Sequence, residues 1–91
     1  MDTSAIKLRL QSEGYVDVHE YEDDADEFLP DHNHPGDQLL IVVRGSIAIT
    51  MDGETRTLNV GDEIFFPAKR MHSAKVGPEG CLYIVGEKPS L

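Results

Sequence analysis

The chain has 91 residues, with 17 Asp and Glu against 8 Lys and Arg and a formal net charge of −9 at pH 7. That length allows one domain, residues 1–91, and one core, and its acidity, with no basic stripe to offset it, argues against nucleic acid as a partner. The single Cys81 excludes an internal disulfide framework or a thiolate metal cluster.

Residues 3–13 read as a short helix, with Ser4 at its start and Gly14 at its stop. Ile6, Leu8 and Leu10 leave the phase open, because their alternation also fits a strand. The opening "MDTSAIKLRLQSEG" carries no apolar core of signal-peptide length. No apolar run approaches the ~20 residues of a membrane helix. The expectation is a cytoplasmic protein.

After Gly14 the period becomes two. "YVDVHEYE" alternates, with Val16 and Val18 on one face, and "DDADE" is a solvated loop. "EFLPDHNH" is a second strand whose Pro30 marks an edge or a bulge. "QLLIVVR" is apolar almost throughout, as a strand covered on both faces would be. Gly45 punctuates, and "SIAITM" follows with Ile47, Ile49 and Met51 on one side. Asp52-Gly53 signals a hairpin to "ETRTLN". Val60-Gly61-Asp62 turns into "EIFFP". "HSAKV" and "CLYIVGE" are joined by Gly77-Pro78-Glu79-Gly80, a tight turn cluster. About eight short strands over residues 15–91, after a helical segment at 1–14, predict an all-β sandwich or barrel.

The chemistry lies in "DHNHPGDQ". Residues two apart share a strand face and stand about 6.6 Å apart, so His32 and His34 can lean onto one ion. Gln38 has the same parity and offers a neutral amide oxygen, although Pro35-Gly36 interrupts the phase. Asp37 is the alternative if a bulge turns it inward. Another strand must complete the set, and His72 is the candidate. His19 reads as a solvated residue and Cys81 as a small packing residue.

The order His32-x-His34-x3-Gln38-x6-Gly45, then Gly61-x5-Pro67-x4-His72, resembles the two signature motifs of the cupin superfamily. Those motifs run G-x5-H-x-H-x3,4-E-x6-G and G-x5-P-x-G-x2-H-x3-N. The resemblance implies a small jelly-roll β-barrel with His32, His34, Gln38 and His72 as ligands. The ion would be a divalent transition metal: Zn, Fe, Mn, Ni or Cu. Asp26 and Lys69 stand where the motifs have glycine, Val76 where they have asparagine, and Gln38 where they have glutamate. Three neutral imidazoles and a neutral amide leave a divalent ion at +2, so attraction for the ion is weaker and an anionic ligand is held more strongly. Restoring glutamate at position 38 is expected to tighten metal binding.

Parity predicts the chamber wall. Leu40 and Val42 follow Gln38; Ala74 and Val76 follow His72; Ile49 and Met51 continue the Ile47 stripe; Phe28, Phe66 and Met71 are placed at the mouth. Arg44, Arg56, Lys69 and Arg70 are the cations that could anchor a substrate, and each also reads as a surface residue. An apolar chamber with one open metal face suits a small organic ligand. Metal-assisted chemistry of isomerase or lyase type, on an enolisable sugar or keto acid, stands beside dioxygenase chemistry. A non-catalytic binding or sensing module, or a storage barrel, is the rival. The resemblance also implies a homodimer.

Overall fold

The computed structural model describes residues 1–89, and its elements are a helix and six strands. They are α1 (Thr3–Ser12), β1 (Asp17–Asp23), β2 (Phe28–His32), β3 (Gln38–Met51), β4 (Glu54–Leu58), β5 (Glu63–Phe66) and β6 (His72–Glu87). Among the described residues no helix is long and apolar enough to cross a membrane.

The eight expected strands become six because two punctuation signals bend strands instead of ending them. β3 runs through Gly45, and β6 runs through Gly77-Pro78-Glu79-Gly80. These two long strands pair antiparallel along their length, with register shifts between Val42 and Arg44 and between Gly45 and Ile47. Bulges of this kind bend and twist a ladder without breaking it. At the bend Gly45 has φ 78°, and a Cβ there would run into the carbonyl oxygen of Gly80. Only glycine satisfies both demands.

The bend divides one sheet into two four-stranded halves. In the first, β5, the start of β3, the end of β6 and β1 lie side by side. In the second, β4, the end of β3, the start of β6 and β2 do so. The result is a jelly-roll-like β-fold whose sheet is not closed, with a short N-terminal helix.

The apolar run in β3 is covered on both faces, as its composition requires. Leu40 and Val42 face the interior between the halves, with Ile47, Ile49, Leu58, Phe66 and Val76. Leu39, Ile41 and Val43 face outward and are capped by Ile6 and Leu10 of α1, together with Tyr15 and Ile84. Burying such side chains stabilises by roughly 1.5–3 kcal/mol each. The helix therefore serves as a lid on the outer face of the first half.

Two local expectations need correction. Asp2, not Ser4, caps α1: its Oδ1 accepts from the Ser4 and Ala5 amides at 3.0 and 3.4 Å, and Ser4 already lies in the first turn. Val16 precedes β1 and is exposed, while Tyr15 is buried in its place against Gly86. Asp26 and Lys69, at the two glycine positions of the motifs, keep the left-handed backbone, with φ 63° and 66°. Asp tolerates that region; for lysine it costs roughly 1–2 kcal/mol.

Candidate metal centre

His32 ends β2 and His72 opens β6, and the two are direct cross-strand partners. Their ring centroids stand 4.4 Å apart. His34 follows in the loop, with its ring 5.0 Å from His32 and 5.4 Å from His72. The loop is held by the left-handed turn at Lys69, whose amide donates to the His34 carbonyl at 2.7 Å and whose carbonyl accepts from Asn33 Nδ2 at 3.2 Å. Each of the three histidines offers a ring nitrogen, and those nitrogens all lie within 4.8 Å of one another. Donors on one ion stand about 3–3.5 Å apart, so the three nitrogens are grouped closely enough to be candidates for one ion.

The tautomer of two rings is set by their neighbours. His32 Nδ1 is 2.8 Å from the Pro30 carbonyl oxygen, and His72 Nδ1 is 3.1 Å from that of Arg70. A carbonyl only accepts, so each Nδ1 carries a proton, and in the neutral ring the lone pair is on Nε2. Phe66 stacks on His72 with centroids 3.9 Å apart and planes at 14°, which fixes the ring plane. Burial pushes the pKa of His72 below the ordinary histidine value; the bond to Arg70 opposes this, and His32 and His34 reinforce it. Burial likewise lowers His34, with His32 adding to the effect and Glu87 opposing it. Both rings thus favour the neutral form that binds a cation.

Gln38 opens β3 and is 8% exposed. Its register partners are Phe66 on β5 and Glu87 on β6. Its Nε2 donates to Glu87 Oε1 at 2.8 Å. A carboxylate accepts only, so this bond sets the orientation of the amide and turns Oε1 the other way. Among the described residues no buried side-chain oxygen lacks a partner and none donates to Gln38 Oε1, so that oxygen is accessible, and Gln38 lines the cavity. Asp37 is engaged elsewhere, accepting from the Ala68 amide at 2.7 Å.

The three imidazoles and Gln38 line a cavity of about 220 Å³, open on one side. Of the wall predicted from parity, Leu40, Ile49, Phe66 and Ala74 line it, as does Ile47 of the stripe. Val42 is fully buried in the core beneath, and Met51 packs half-buried against that core. Met71 is 49% exposed and does not line the cavity: it precedes inward-facing His72, and adjacent residues point to opposite sides. Leu29, Val85, Tyr21 and Tyr83 complete the wall. Tyr21 was missed because β1 reads as a polar surface strand; it shares a strand face with His19, two residues before it. Tyr21 stacks on Tyr83 at 5.5 Å, and Tyr83 donates its hydroxyl to Asp23 at 2.6 Å. Among the described residues no Lys, Arg, Asp or Glu lines the cavity. Arg44 pairs with Glu22 and Arg70 with Asp52, while Arg56 and Lys69 are exposed.

This arrangement, three converging imidazoles inside a bent double sheet, agrees with a family model for the cupin domain that matches residues 18–85. The chain belongs to the cupin family. No curated protein matches it. Among solved structures, this cupin superposes on an RmlC-like cupin from Shewanella frigidimarina NCIMB 400 with a TM-score of 0.70 and 26% identity, covering 80% of this chain and 65% of that one. It superposes on KdgF from Halomonas sp. with a TM-score of 0.68 and 26% identity, covering 77% of this chain and 67% of that one. DMSP lyase DddQ from Ruegeria pomeroyi DSS-3 gives a TM-score of 0.76 at 23% identity, a likeness of fold, covering 81% of this chain and 38% of the lyase. The chain thus spans less than two thirds of two of these three proteins.

Proposed function

We propose that this cupin binds a divalent transition metal through His32, His34, Gln38 and His72 and acts on a small organic molecule in the cavity beside them. The carrying observation is that two of three converging imidazoles have their tautomer set by backbone carbonyls, which leaves Nε2 free. The donor set is nitrogen-rich and neutral, which suits Zn, Fe, Ni or Cu better than Mg or Ca. A bound ion would supply Lewis-acid polarisation, or oxygen activation if it were iron or copper. The chain's own groups do the rest. His32, His34 and His72 hold the ion, Phe66 keeps His72 in plane, and Gln38 presents its amide oxygen. Leu29, Leu40, Ile47, Ile49 and Val85 exclude water from the ligand's body.

The wall narrows the ligand class. Among the described residues it has no cation for a remote carboxylate and few polar groups for a run of hydroxyls. That favours a molecule with one oxygen-bearing head at the metal and an apolar body, such as a keto acid, over a polyhydroxylated sugar. Isomerase or lyase chemistry and dioxygenase chemistry both fit such a head. With no titratable acid or base among those wall residues other than the histidines and tyrosines, non-catalytic binding of the same molecule is the second reading.

Elemental analysis of protein purified without added metal tests the site. The expected result is one transition metal per chain in the wild type and none in His72→Ala. Equal metal in both would refute the ligand set. Oxygen uptake with candidate keto acids separates the dioxygenase branch from the others.

A further inference from the structure

A glutamine at the ligand position normally held by glutamate removes one negative charge from the site. The structure places that charge one residue away. Glu87, the last residue of β6, lies directly across the ladder from Gln38. Its Oε1 accepts from Gln38 Nε2 at 2.8 Å, and its Oε2 accepts from the Gly36 amide at 3.3 Å. Gly36 is buried, and a Cβ there would run into the Lys88 carbonyl, so the Pro35-Gly36 turn is pressed against the end of β6. Both carboxylate oxygens are thereby engaged by donors on the segment that carries the candidate ligands.

The charge itself is unanswered. Glu87 is half-buried, yet no Lys or Arg comes within 4 Å of it among the described residues. The neighbouring cation, Lys88, sits over the Tyr15 ring, 4.8 Å from its centroid. A carboxylate removed from water and bonded only to neutral N–H groups is costly unless a cation stands nearby. The histidine cluster beyond Gln38 is where such a cation would stand.

We infer that Glu87 is a positioning residue for the metal site: it turns the Gln38 amide oxygen toward the cavity and returns, at one remove, the negative charge that the glutamine lacks. This rests on the metal-binding reading above. A carboxylate behind a ligating amide polarises it and raises the donor strength of its oxygen, as partners behind a ligand do generally. The site would then combine the open, ligand-attracting face of a neutral donor set with retention of the ion by a charge that never touches it.

The test compares wild type, Glu87→Gln and the exchange Gln38→Glu/Glu87→Gln. The readouts are Co²⁺ affinity by calorimetry, the visible spectrum of the Co²⁺ form, and the melting temperature of the metal-free protein. Glu87→Gln removes the charge and leaves the amide free to flip, so Co²⁺ affinity should fall about 10- to 100-fold with a changed spectrum. The exchange keeps the hydrogen bond with its roles reversed, and should recover at least wild-type affinity. That recovery also shows that glutamine at position 87 is compatible with the fold. Wild-type affinity and spectrum in Glu87→Gln would overturn the inference and leave the metal reading standing. An exchange variant no better than Glu87→Gln would also overturn it, since the loss would then be structural damage at position 87. Failure of the wild type to bind Co²⁺, Zn²⁺ or Fe²⁺ would overturn both.

Discussion

Gln38→Glu alone is the substitution on which charge counting and structure part company. Counting charges at the ion, a carboxylate at position 38 should only help. The structure sets that carboxylate against Glu87, where the amide now donates across 2.8 Å. Losing a hydrogen bond to a charged group costs about 1.5–3 kcal/mol. Two like charges about 4 Å apart at an effective dielectric of 20 repel by up to about 4 kcal/mol, an upper bound because the introduced carboxylate can swing into the cavity. A net loss of about 2–4 kcal/mol follows for the metal-free protein. For a domain this size each kcal/mol is about 4–8 °C, so the melting temperature should fall by roughly 8–32 °C. Calorimetry in the presence of chelator at about pH 7.5 measures it. Added metal should then raise the melting temperature of the variant more than that of the wild type, because the ion relieves the repulsion. A metal-free variant melting within about 2 °C of wild type would refute the pairing of residues 38 and 87.

Other outcomes follow from the same geometry. His34 and His72 have pKa values lowered mainly by burial, so the unfolded chain takes up protons that the folded one declines. Metal-free stability should therefore be full above about pH 6.5 and fall as pH drops from there through the lowered values. Urea midpoints at about pH 7.5 and about pH 5.5, on either side of the ordinary histidine value, check this, and an unchanged midpoint would contradict it. Metal should leave in the same window. Lys69→Gly relieves a left-handed lysine at φ 66°; set against glycine's own entropy cost, a gain of about 0.5–1 kcal/mol is expected, read as a higher urea midpoint with metal affinity unchanged. Burial, with the charge of Asp23, pushes the Cys81 thiol up to about 11. A disulfide reagent at about pH 8 should label it only after denaturant is added, and rapid labelling of the folded protein would show that the last strand opens.

The parts of the fold that the sequence carried plainly are those set by local pattern. Alternation marked the strands, and the doubly apolar run 39–43 announced a strand between two layers, which Leu40 and Val42 on one side and Leu39, Ile41 and Val43 on the other now occupy. Asp52-Gly53 made its hairpin, with both residues at positive φ. The strand count of eight was an overcount for a physical reason. A glycine that bends a strand and a glycine that ends one satisfy the same local requirement. The difference lies in the partner: β3 and β6 bend together, Gly45 against Gly80, and neither segment shows this alone. Glu87 was invisible for a similar reason. It is an ordinary acid near the end of the chain, and only the register of β3 against β6 sets it beside Gln38.

That register also explains why so short a chain assembles its site where it does. His32 and His72 belong to the half of the sheet containing β2, β4 and the start of β6. Gln38, Phe66 and Glu87 belong to the half containing β1, β5 and the end of β6. β6 thus sends its first residue to the site from one half and its last from the other, and the bend at Gly77–Gly80 is what allows both to arrive. An ion held by His72 and Gln38 would tie the two halves across the open side of the sheet, where no strand closes it among the described residues. Binding at about 100 times the dissociation constant adds about 2.7 kcal/mol to stability, a large fraction of the roughly 5–15 kcal/mol that holds a domain folded. In this cupin, then, the site would also be a fastening between its two sheet halves, and a ligand set drawn from both is what a thin core and an unclosed sheet would favour.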